Sequence, residues 1–543
     1  MAITEKYEDV QAAADIEDNA HKHDVDSKEE SQRSDDETLS TASGAKLIEK
    51  RKPPNTLESQ GYISYMPIVQ FGFALLASWE AVGLSLQLNL LNGGTSTLVY
   101  GSLLAGVGSC LVALSIAEMA SMDPVVGAQY RWSARFAPGG AAAQRFWGLF
   151  QGWVTLFGWM TGAATNLAYM AQGVLAIAVL WNPGFEPQAW QTALVMCAFV
   201  VPPVAGNLWF RRLVAPMEWC GGVGHAVFWL ASMAVLGALG TRGSHASVWA
   251  APPSSRAGWQ GRPGVAFGVG LVPISFPSTG FDGVIHMCKE TRDARRTIPG
   301  AILVAVVLNA LMAFVWLVVV SYYLGDVDAL LAGSPMGLAI MGVYLRATGS
   351  RAAATVLVLF HVVILYISLY NIYASVARLG WAFSQNKGLP FSDFFVKVSS
   401  RYNQPLRTLG LLVVVDVALA MISIGSTTAF NAMLSLPLIA IYLSYGIPIL
   451  FILVRRLRGL PVGKMGPFRL PRAGGVAVAV NALAVVYILY IISFAGLPTM
   501  MPATKDNMNY AGPMMLGIIV VALADWCISG RRRFRLPEAH FDS

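Results

Sequence analysis

Stretches of about twenty apolar residues follow one another from about residue 66 to about residue 530, with only short polar breaks between them. A helix rises 1.5 Å per residue, so a run of that length covers the roughly 30 Å hydrocarbon core of a bilayer. In lipid every backbone amide must find its partner inside the protein, which restricts spanning segments to helices and closed barrels. Runs this long, with no short alternating segments, read as helices. Charged residues make up only 13% of the chain, about half the share usual in soluble domains. The expected fold is an all-α integral membrane protein of about twelve transmembrane helices. Their approximate limits are 66–92, 97–120, 146–180, 187–206, 214–240, 264–288, 299–324, 353–384, 407–425, 429–454, 474–496 and 511–530.

Residues 1–60 are acidic and polar, with no apolar core, and read as a disordered tail. They hold no apolar stretch of the kind that marks a cleaved signal peptide. One transmembrane domain, 61–530, and a short tail, 531–543, complete the expected organisation. Lys and Arg are concentrated in the loops after even-numbered spans, and Arg242, Arg256, Arg262, Arg346, Arg351 and Lys505 are the basic residues on the other side. By the positive-inside rule both termini are then cytoplasmic. The formal charge of +7 follows from these loops and needs no nucleic-acid partner. The five cysteines lie in or beside apolar segments without a Cys-x-x-Cys pair, so neither a disulfide framework, a metal site nor a cofactor is expected.

The informative residues are the polar ones inside the spans. Glu80 lies fourteen residues after Met66, about 20 Å along a helix. A carboxyl at that depth costs on the order of 3 kcal/mol, so it should face protein, water or a cation. It sits in Ser78-Trp79-Glu80-Ala-Val-Gly83, where Gly83 should loosen the helix. Span six reads Pro273-Ile-Ser275-Phe276-Pro277-Ser-Thr279-Gly280-Phe281-Asp282-Gly283. Two prolines remove backbone donors and two glycines weaken what remains, so a continuous helix is not expected. Interrupted spans at corresponding positions, one and six, are the mark of an inverted-repeat transporter with a midplane site. Asp282, further along its span, could instead belong to the cytoplasmic vestibule. Span eight carries Ser368, Asn371 and Ser375 at helical spacing, a pattern that suits either a path lining or a helix contact. His225 in span five is a candidate for proton exchange or a packing histidine. Trp153, Trp159, Phe276 and Phe281 could supply aromatic faces for an ammonium group.

These residues resemble the fungal amino acid/choline transporter branch, which includes GABA-permease-like proteins, of the amino acid–polyamine–organocation superfamily. The resemblance is carried by Trp79-Glu80-Ala81, Asn92-Gly93-Gly94, Ala117-Glu118-Met119-Ala120-Ser121, Gly127-Ala128-Gln129-Tyr130-Arg131-Trp132, and Gly280-Phe281-Asp282-Gly283 with His286-Met287. Further along come Trp381-Ala382-Phe383, Lys387-Gly388-Leu389-Pro390, Gly425-Ser426-Thr427, Gly466-Pro467-Phe468-Arg469 and Asn507-Met508-Asn509-Tyr510. The chain departs from the family at Gly127-Ala128, where Gly-Gly is usual, and at Lys289-Glu290, where an acidic pair is usual. The second departure bears on the charge pairing of the inner gate.

The resemblance implies a LeuT-like core of two inverted five-helix repeats plus two helices, and secondary transport by alternating access. It implies that the breaks of spans one and six bind substrate, which makes Ser78, Trp79, Glu80, Gly83, Ser275, Phe276, Gly280, Phe281 and Gly283 the candidates there, with Ser368 and Asn371 from span eight. Glu80, His225 and Asp282 are the candidate proton carriers. The expected substrate is an amino acid, a GABA-like amine or a choline-like cation. Span eight has no adjacent Ser/Thr pair, so the proton is the expected coupling ion. The expected location is the plasma membrane, with the vacuolar membrane as alternative. A non-transporting nutrient sensor and an exporter of an amino-acid-derived metabolite are the competing functions. No phosphate loop, His-Glu-x-x-His or Gly-x-Ser-x-Gly motif is present, so an enzyme is not expected.

Overall fold

Because apolar runs of bilayer length can satisfy their amides only as helices, the run count fixes most of the architecture. The computed structural model describes residues 61–536 except 62, 210–213, 426, 472–474 and 506. The tail 1–60, residues 537–543 and Ser426 of the Gly425-Ser426-Thr427 motif lie outside the described residues. Twelve helices among the described residues are long and apolar enough to cross a membrane. They are spans 1 to 12: Tyr65–Leu84, Gly94–Met122, Ala141–Trp181, Ala189–Trp209, Pro216–Leu239, Pro263–Met287, Ala294–Tyr322, Arg351–Gln385, Leu406–Gly425, Ser435–Leu457, Val476–Ala495 and Ala511–Arg533.

Span 1 breaks at Ala77, which takes a left-handed conformation (φ 42°, ψ 46°) between the helical pieces Tyr65–Leu76 and Ser78–Leu84. The expected weak point, Gly83, is helical instead. It is needed for close approach, since a Cβ there would stand 2.4 Å from Cε1 of His361. The break is held from span 7 by Asn309. Its Oδ1 accepts from the Ser78 amide (3.2 Å) and its Nδ2 donates to the carbonyls of Phe73 (3.2 Å) and Ala305 (3.0 Å). Span 6 breaks where its prolines and glycines predict. Its first helix, Pro263–Ser275, tightens to a 3-10 turn over Phe276–Ser278, Gly280 turns the chain at φ 86°, and a second 3-10 stretch runs over Phe281–Met287. Ser78 Oγ donates to the Pro277 carbonyl (3.0 Å), which ties one break to the other.

Counting apolar runs misses the short helices in the connections. Ala128–Phe136 lies between spans 2 and 3, and Val327–Gly333 with Ala339–Thr348 lies between spans 7 and 8. At one end of the bundle, buried ion pairs tie span 2 to span 10 through Glu118 and Arg456 (2.6 Å) and the loop after span 6 to span 8 through Glu290 and Arg378 (2.7 Å). Glu290 thus has a basic partner although its neighbour, Lys289, is not acidic. At the other end a two-residue ladder pairs Asn92–Gly93 with Ser254–Ser255, and Arg256 meets Asp328 at 2.5 Å.

Candidate functional site

The two breaks face each other across a cavity of about 60 Å³, where one water needs about 10–15 Å³ on the same measure. Span 1 contributes Leu75 to Ala77 and Ala81, span 3 contributes Trp159, Asn166 and Tyr169, and span 6 contributes Phe276, Thr279 and Gly280. Ser368 closes it from span 8. No acidic or basic side chain is among the lining residues. The polar groups are neutral. Asn166 Nδ2 reaches Ser368 Oγ at 3.5 Å while its Oδ1 is buried without a partner among the described residues, and Ser368 Oγ donates to the Leu75 carbonyl at 2.5 Å.

A second cavity, of about 30 Å³, lies beyond the rings of Tyr169 and Phe276 and is lined on its far side by Asn92, Thr499 and Asn509. Tyr169 and Phe276 line both cavities and meet edge to face, with centroids 6.4 Å apart. This aromatic pair is the partition between the central cavity and the end of the bundle that carries the Asn92–Ser255 ladder.

Five of the sequence candidates line the central cavity or bound it closely: Trp159, Phe276, Gly280 and Ser368 line it, and Gly283 abuts it, with a Cβ there falling 2.9 Å from the Trp159 ring. Others lie behind it. Ser78 spends its hydroxyl on span 6, and Ser275 Oγ accepts from Tyr487 at 3.4 Å. Phe281 is fully buried and stacks on Tyr445 with centroids 4.9 Å apart. Asn371, one turn past Ser368, donates to Glu218 Oε2 at 3.1 Å. Trp153 points elsewhere and donates to Asp525 (3.1 Å).

Trp79 and Glu80 also lie outside the lining, because the turn at Ala77 rotates them toward spans 5, 7 and 8. Trp79 packs against Trp316 and His361, with centroids 5.5 and 4.8 Å away. Glu80 Oε1 lies 2.7 Å from His225 Nδ1, and both side chains are 0% exposed. The outer atoms of this pair, Glu80 Oε2 and His225 Nε2, have no hydrogen-bond partner among the described residues. His361 Nδ1 donates to the Glu80 carbonyl (3.1 Å), and its Nε2 accepts from the Tyr344 hydroxyl (2.9 Å). Asp282 is equally buried but sits in a different setting. It takes hydrogen bonds from Gln129, Tyr445 and Trp159, the last at 3.0 Å, and His286 lies 3.6 Å away. Asp282 therefore belongs to the packed surround of the break and not to an open vestibule.

Sequence reasoning missed Asn166, Tyr169, Tyr445 and Glu218. Asn166 and Glu218 had a signal, each being a strongly polar side chain within an apolar run. The two tyrosines had none, since tyrosines fill ordinary helix contacts throughout the spans.

The family model for amino acid permeases matches residues 70–521. A choline transporter of Saccharomyces cerevisiae is 25% identical over 508 residues, which cover 91% of this chain and 88% of the relative. Amino-acid permease 2 of Neurospora crassa is 26% identical over 532 residues, 93% of this chain and 91% of its own length. The amino-acid permease BAT1 of Arabidopsis thaliana is 28% identical over 483 residues, 86% and 91% of the two chains. With twelve spans, two of them broken around a shared cavity, and a family match over most of its length, this chain belongs to the amino acid permease family, whose members are membrane transporters of LeuT-like fold and not enzymes.

Proposed function

We propose that this permease carries a small amino compound, an amino acid, a GABA-like amine or a choline-like cation, by alternating access, and that the Glu80–His225 pair couples the movement to protons. The observation that carries the coupling is the pair's isolation: a carboxyl and an imidazole 2.7 Å apart, both 0% exposed, and outside the cavity lining. The two groups form one hydrogen-bonded unit. As an ion pair, or as neutral acid and neutral imidazole, the unit carries no net charge. Adding or removing one proton leaves a net charge buried at membrane depth, which is costly. Such a change favours a conformation that opens the pair to water, and this links protonation to alternating access.

The substrate is then recognised without a counter-charge. The faces of Trp159, Tyr169 and Phe276 surround an ammonium group, worth roughly 2 kcal/mol when desolvated, and Asn166 Oδ1 accepts from it where the group carries an N–H. The named relatives support an amino acid or choline as the class of cargo. By the distribution of basic residues both termini are cytoplasmic. The plasma membrane is the proposed location. Uptake by intact permease-deleted cells, against a panel of amino acids, GABA and choline, tests the proposal. Uptake should rise at acidic external pH, collapse with a protonophore and ignore sodium. Sodium-dependent uptake that resists the protonophore would refute the coupling.

A further inference from the structure

We propose that Tyr445, on span 10, is a positioning residue for transport: it holds the broken stretch of span 6 in the shape that completes the substrate cavity. This rests on the reading of that cavity as the substrate site. One side chain of span 10 holds three consecutive residues of the break. The Tyr445 hydroxyl accepts from the Gly280 amide at 3.0 Å and donates to Asp282 Oδ1. Its ring stacks on Phe281 between them, with centroids 4.9 Å apart and planes inclined by 26°. Tyr445 is itself 0% exposed, so water cannot stand in for any of these contacts.

The break needs such a partner. Gly280 sits at φ 86° with no helical partner for its amide, and a buried amide left unpaired is a strong drive to rearrange. Asp282 is likewise dependent on its donors, because a buried carboxylate is tolerated only when its oxygens are bonded. Its other oxygen takes Gln129 and Trp159, and the Trp159 ring lies against Gly280 and Gly283 and lines the cavity. Tyr445, Asp282 and Trp159 therefore form a continuous chain from span 10 to span 3 that encloses Thr279 and Gly280. Loss of the hydroxyl removes the donor to Asp282 and the acceptor of Gly280 together, so the wall they form moves while the packing of the ring stays.

The test compares Tyr445→Phe, Asp282→Asn and the double variant in the full-length permease, reading KM and maximal rate of uptake, surface amount and thermal unfolding in detergent. Tyr445→Phe should reach the membrane in normal amount with KM raised about tenfold, the order expected for losing a hydrogen bond to a charged group. The two substitutions should be non-additive in KM, because they remove one shared bond. A wild-type KM for Tyr445→Phe, or additive effects, would overturn the positioning role. Asp282→Asn carries the same comparison against wild type should Tyr445→Phe fail to reach the membrane, a wild-type KM there counting equally against the role. Asn166→Leu, run in parallel, separates the two readings. If it raises KM while Tyr445→Phe does not, the positioning role is wrong; if neither does, the cavity is not the substrate site.

Discussion

Glu80 and Asp282 are both fully buried acids beside a break, yet their surroundings give them different chemistry. Asp282 is bonded by three neutral donors, with His286 3.6 Å from one of its oxygens. Glu80 has a titratable partner and one oxygen with none. Glu80→Gln keeps size and hydrogen bonding while removing proton exchange. It should reach the membrane normally but fail to accumulate substrate at any pH, while exchange of labelled for unlabelled substrate persists. Normal accumulation by this variant across pH would make Glu80 a structural residue. Glu80→Ala should instead destabilise the fold by about 3–5 kcal/mol, the range for removing one partner of a buried ion pair. The depth of Glu80 was legible in the sequence, because depth needs only a count along an apolar run. Its direction was not, because the turn at Ala77 resets the helical phase and sends Trp79 and Glu80 away from the cavity.

Among the elements, the two broken spans differ in where the instruction to break resides. Span 6 encodes it locally in Pro273, Pro277 and Gly280, so the sequence announced it. Span 1 has neither Gly nor Pro at Ala77, and its left-handed turn costs roughly 1–2 kcal/mol for a residue with a Cβ. That turn is sustained from span 7, 231 residues away, where Asn309 bonds the Ser78 amide after the break and the Phe73 carbonyl before it. No local pattern contains such a contact. Asn309→Leu should leave both backbone groups unpaired, at about 1–3 kcal/mol each, and lower the unfolding temperature in detergent together with the transport rate. An unchanged unfolding temperature would mean that the break sustains itself.

At the scale of the whole molecule, side chains join the loops into two sets, one at each end of the bundle. At one end Ser121 Oγ bonds the Arg295 carbonyl and the Phe468 amide, and Glu118 holds Arg456. Phe534, 1% exposed, packs against Tyr130 and Phe383 at the same end. At the other end Asn92 pairs with Ser255, Met501 bonds Ala257, and Arg256 meets Asp328. The fold says which loops share a side, and the proposed orientation puts the more basic side in the cytoplasm. Most Lys and Arg, including Arg295, Arg401 and Arg456, belong to the first set, while Arg256 and Lys505 belong to the second. Short basic loops are retained on the cytoplasmic side during insertion. Cysteines placed singly at positions 256 and 505 should therefore be tagged by an impermeant reagent added to intact cells, and those at 295, 401 and 456 only after permeabilisation. Because the two sets are fixed by contacts within one fold, they must invert together or not at all. Tagging at 401 in intact cells with none at 256 would reverse the orientation and keep the fold, whereas tagging at both would contradict the fold itself.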